Sequence, residues 1–81
     1  MSWQSVATDV AVCHGLTLAE LRGPSCVRKL SRARQAAYAA LKAEGYSTTQ
    51  IGRWLGGRDH STVVSGIKAH LARVEQQERG R

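Results

Sequence analysis

A chain of 81 residues, 42% hydrophobic, with a formal net charge of +6 and a pI near 10.2 has room for one small domain, which buries only about 60% of its unfolded surface, so every element must share a single core and little is left over for an enzyme. No stretch approaches the roughly 18 apolar residues that cross a membrane, and no basic region followed by a long apolar run opens the chain, which predicts a cytoplasmic protein. The two cysteines and three histidines show no metal-ligand spacing, so neither metal nor cofactor is expected, and Cys13 and Cys26 are read as buried small hydrophobes.

Taken in chain order, Trp3, Val6, Val10 and Cys13 recur at helical spacing and Gly15 stops that first helix. Thr17 and Glu20 form a capping box for a short helix that turns Leu18 and Leu21 inward, and Gly23-Pro24 ends it. From about Arg28 to Glu44 there is no Gly or Pro and much Ala, which predicts a long helix with an inner stripe of Leu30, Ala33, Ala37 and Leu41, closed by Gly45. Its small side chains let neighbours approach, so it should form the axis of the core. Ser47 and Gln50 make a second capping box, and Ile51, Trp54 and Leu55 follow at i, i+3, i+4 before the glycines. The last helix carries Val63, Ile67, Leu71 and Val74, and the tail over 76–81 is too polar to bury and is expected to fray. The reading is an all-α, compact helical domain of five helices over residues 1–75, with a helix-turn-helix over 47–75 and a flexible polar tail. Trp3 and Trp54 sit in apolar helical patterns and are read as packing residues, not as base-stacking platforms.

Arg22, Arg28, Lys29, Arg32, Arg34 and Lys42 occur with no acidic residue between Leu21 and Ala43, and such a block can neutralise phosphates and release counterions. The densest signal is GGRDHSTV, running from Gly56 to Val63. Two glycines permit a tight turn, Asp59 is a favourable helix cap, and His60, Ser61 and Thr62 fall on the first turn of the helix beyond it. In a helix-turn-helix that first turn enters the major groove, where carboxylate, imidazole and hydroxyl groups meet base edges. Asp59, His60 and Ser61 are no catalytic triad, because neighbours on a helix diverge by about 100°. With no G-x-x-x-x-G-K-[ST] loop anywhere, ATP hydrolysis by a P-loop is excluded as well.

Gln50-Ile51-Gly52 followed by GGRDHSTV, with Ser31-Arg32-Ala33-Arg34-Gln35 and the short helix over 16–21 upstream, resembles the C-terminal DNA-binding domain of the bacterial replication initiator DnaA. The resemblance spans about residues 6–74 and is strongest at its C-terminal motif. It implies a partner, double-stranded DNA at A·T-rich DnaA-box-like sites, nonamers resembling TTATCCACA. Within that reading Asp59, His60, Ser61 and Thr62 contact bases in the major groove, while Arg34 enters the adjacent minor groove and senses its width. Arg28, Lys29, Arg32, Gln35, Ser47, Thr48, Arg58 and Lys68 are implied as phosphate contacts, and about five neutralised phosphates give a salt slope of about −4 to −5.

The chain departs from the family's pattern at Gly23-Pro24-Ser25-Cys26, where a more basic loop is usual, at Leu55, where phenylalanine is typical, and at His70, where an apolar residue is usual. The function implied is regulation of chromosome replication initiation or transcription by a cytoplasmic, nucleoid-associated protein, and the Met1-Ser2-Trp3 opening suggests a freestanding small protein. The alternative is a protein-interaction module that contacts a replication-regulatory protein, such as the factor that inactivates the initiator. Loss of loop charge favours it, and retention of Arg34 and RDHST opposes it. A membrane-surface module is disfavoured because the basic block lies beside the base-reading motif instead of opposite an apolar face. No small-molecule substrate is expected.

Overall fold

A computed structural model describes residues 2–25 and 27–79. Five helices follow one another: α1 (Trp3–Cys13), α2 (Leu18–Arg22), α3 (Arg28–Ala43), α4 (Thr48–Trp54) and α5 (His60–Arg79), with no strand among the described residues. The predicted caps account for the starts of the short helices. Thr17 Oγ1 accepts from the Glu20 N–H at 3.2 Å while Glu20 Oε1 accepts from the Thr17 N–H at 3.0 Å, and Ser47 and Gln50 repeat the arrangement at the head of α4.

α3 is the axis, packed against all four other helices. Its expected stripe of Leu30, Ala33, Ala37 and Leu41 is buried, joined by Tyr38. Ala7 and Ala11 of α1 are fully buried as well, so small side chains on both α1 and α3 let these helices approach closely. Of the expected face of α1, Trp3, Val6 and Val10 meet the core. Val6, Ala7 and Ala11 point inward, Val10 is half-buried, and Cys13 is exposed, which corrects its assignment as a buried hydrophobe. Cys26 lies outside the described residues.

Val63 is fully buried and Ile67 packs against the core, but Leu71 is 57% and Val74 37% exposed. A helix of 20 residues is about 30 Å long, and α5 outruns the 16 residues of α3 against which it lies. Helix continues through Arg79. No Gly or Pro interrupts the chain between Ile67 and Arg79, and good helix formers such as Ala72, Arg73, Glu75 and Gln76 carry the turn onward. Residues 80 and 81 lie outside the described residues.

Both tryptophans are packing residues, as read from sequence. Trp3 stacks on Trp54 with centroids 4.9 Å apart and planes 4° from parallel, and Tyr46 meets Trp54 edge-on at 5.0 Å. Arg22 lies 5.8 Å over Trp3 and donates from Nε to the Trp54 carbonyl at 2.9 Å, which ties α1, α2 and α4 together. No helix among the described residues is long and apolar enough to cross a membrane.

Candidate nucleic-acid interface

The turn between α4 and α5 is built on glycine. Gly56 and Gly57 have φ of +98° and +68°, a region that side chains with a Cβ enter only at a cost. The turn then folds back on α4, and the Arg58 N–H donates to the Gly52 carbonyl at 2.8 Å. Gly52 is required at that approach, since a Cβ there would overlap the Arg58 carbonyl. Ile51, Leu55 and Val63 are fully buried beneath the turn, so leucine at position 55 fills the space without leaving the site open. Asp59 supplies its backbone carbonyl to the Thr62 and Val63 N–H groups at 3.1 and 3.3 Å, which starts α5.

This framework leaves four successive side chains, Asp59, His60, Ser61 and Thr62, exposed at the head of α5. The His60 and Asp59 side chains are 63% and 78% exposed, and Nδ1 lies 3.8 Å from Oδ1. Ser61 and Thr62 also line a groove of about 550 Å³ with Ser65 of the same helix and Ser31, Gln35 and Tyr38 of α3. Tyr38 forms an inner wall. Burial pushes its phenol up from the ordinary range, against the opposing pull of the Arg58 and then the Arg34 guanidinium. Gly66 gives Tyr38 its space, since a Cβ there would stand 2.6 Å from the ring.

Arg28, Lys29 and Arg32 at the start of α3, together with Lys68 on α5, are exposed cations. Ser47 is exposed and Thr48 half-buried at the head of α4. Gln35 is half-buried, and its Oε1 accepts from Arg73 Nη2.

Two of the expected contacts take a different position. Arg34 is 4% exposed. Its Nε donates to the Leu21 carbonyl at 2.7 Å, and Nη2 donates to the carbonyls of Gly23 at 2.7 Å and Glu20 at 3.4 Å. Arg58 is half-buried and donates to the Leu55 carbonyl and, from Nη2, to the same Gly23 carbonyl at 2.9 Å. The physical reason is the end of α2. Gly23 caps it with an extended backbone, φ −77° and ψ 172°, so the last carbonyls are not folded back into a left-handed cap and need outside donors. Two guanidiniums meet that need and lock the α2 end to the helix-turn-helix. Arg34 and Arg58 thus brace the fold while lining the groove shared with Ser61 and Thr62.

The model described as bacterial dnaA protein helix-turn-helix matches residues 4–69. The chromosomal replication initiator protein DnaA of Thermomicrobium roseum is 44% identical over 70 residues, covering 83% of this chain and 14% of that protein. The protein of the same name from Roseobacter denitrificans is 36% identical over 66 residues, 80% of this chain and 14% of its own length. That from Streptococcus pyogenes is 30% identical over 76 residues, 93% and 17%. The chain thus spans about 14% of the length of the first of these curated relatives. No solved structure matches it. A match over residues 4–69, which takes in the capped helix, the glycine turn and the exposed row beyond it, means that the chain belongs to the bacterial DnaA helix-turn-helix family.

Proposed function

We propose that the chain is a binding module for double-stranded DNA, without catalytic chemistry of its own, that recognises A·T-rich DnaA-box-like nonamers and acts in the regulation of replication initiation or transcription. The observation that carries this reading is the exposed row Asp59-His60-Ser61-Thr62 on the first turn of a helix held by a glycine-built turn. A carboxylate accepts from the amino group of cytosine, and a threonine methyl packs on that of thymine, so the row offers direct readout in a major groove. Arg28, Lys29, Arg32 and Lys68 grip phosphates, and Ser47 and Thr48 add hydroxyls at the head of α4. Arg34 and Arg58 act indirectly by holding the recognition helix against α2 and α3.

Fluorescence anisotropy with a labelled TTATCCACA duplex and a scrambled duplex of equal length, at one salt concentration, tests the reading. Tighter binding to the nonamer is the expected result. Equal affinity for both duplexes, or no binding, overturns it.

A further inference from the structure

Away from the recognition row, a cavity of about 280 Å³ opens between α1, α3 and α5, lined by His14, Arg32, His70, Arg73 and Val74. Four of these five side chains are basic, they come from three different helices, and none is a carboxylate. Like charges gathered in this way repel one another unless an anion lies between them. His14 donates from Nδ1 to the Val10 carbonyl at 2.9 Å, which fixes its ring and leaves Nε2 as its remaining polar atom. His70 Nδ1 is sealed from solvent and has no hydrogen-bond partner. Burial, then Arg73, then His14 hold the His70 imidazole below its ordinary pKa. An anion in the cavity opposes the effect of the Arg73 guanidinium.

We propose that this cavity binds a phosphate group, held by the guanidiniums of Arg32 and Arg73 and by the imidazoles of His70 and His14, with Val74 as its apolar wall. Phosphate suits the site because it is compact, carries up to two negative charges and offers several acceptor oxygens to guanidinium and imidazolium donors. The charged and titratable groups that line the cavity with His70 are His14 at the end of α1, Arg32 from α3 and Arg73 from α5, so binding strengthens as pH falls and the His70 imidazole gains a second N–H donor. Two sources share this chemistry, a free phosphate and a phosphate of a duplex backbone. Neither requires that the chain read bases.

Proton NMR of the histidine rings in the full chain tests the proposal, with inorganic phosphate titrated against chloride at matched ionic strength. A saturable shift of His70 and His14 and a rise in the His70 pKa are expected, with affinity falling ~10-fold in Arg32→Gln, an exposed position where the fold tolerates the change. In a second arm, matched and scrambled duplexes replace phosphate. A response to inorganic phosphate identifies a free-phosphate site. A response to both duplexes alone, lost in Arg32→Gln, identifies a backbone contact, even if the chain has no preference for the nonamer. No saturable response in either arm, or an equal response in Arg32→Gln, overturns the proposal.

Discussion

Arg34 and Gly52 are two residues that shape the candidate interface from within the fold. Arg34 satisfies carbonyls that the extended Gly23 cap leaves open, at distances of 2.7 Å to both Leu21 and Gly23. Arg34→Gln is therefore expected to lose about 2–4 kcal/mol of stability, because buried carbonyls lose charged donors. Urea unfolding checks this, and an unchanged midpoint combined with lost DNA discrimination would return Arg34 to a groove-reading role. Gly52→Ala forces a Cβ into the Arg58 carbonyl, and a loss of about 2–4 kcal/mol is expected from displacement of the turn. The exposed row at residues 59–62 was legible from sequence because a cap residue after a glycine pair fixes where a helix starts. The positions of Arg34 and Arg58 were not. Their shared acceptor at Gly23 lies 11 and 35 residues away in the chain, and only the folded path of α2 brings it near.

At the level of elements, periodicity identified which face of a helix is apolar but not whether a neighbour is there to cover it. On α3 the stripe was right in full, since this helix packs against all four others. On α5 the same rule held for Val63 and Ile67 and failed for Leu71 and Val74, where the helix has run past its neighbours. On α1 it held for Trp3, Val6 and Val10 and failed at Cys13, while Ala7 and Ala11 are fully buried beside them. The expected energetic consequence is an asymmetry along α5. Val63→Ala should cost about 1.5–3 kcal/mol through lost burial and a residual cavity, whereas Leu71→Ala should stay within about 0.5 kcal/mol of wild type. Chemical denaturation of the two variants measures the difference, and equal losses would mean that α5 is covered along its whole length.

For the molecule as a whole, charge is divided between bracing and display. Arg34 and Arg58 are drawn into the fold, while Arg28, Lys29, Arg32 and Lys68 remain exposed. With these four exposed cations assigned to phosphates, the dependence of log K on log salt should have a slope of about −3 to −4, shallower than the −4 to −5 expected from sequence with Arg58 counted. Lys29→Ala should weaken matched and scrambled duplexes alike and reduce the slope by about 1. Salt titrations of both duplexes by anisotropy measure the two quantities together, and a change confined to the matched duplex would give Lys29 a role in base readout.

The central claim is that the first turn of α5 reads base edges from a rigid, glycine-turned support. Competition between the nonamer and a scrambled duplex for the wild type and for His60→Ala, at one salt concentration, tests it most directly. The side chain is 63% exposed, so its removal leaves folding untouched. The preference for the nonamer should fall by about 5- to 100-fold, corresponding to about 1–3 kcal/mol for a lost base contact, with little change in affinity for the scrambled duplex. An unchanged preference in the variant, or no preference in the wild type, would contradict the account.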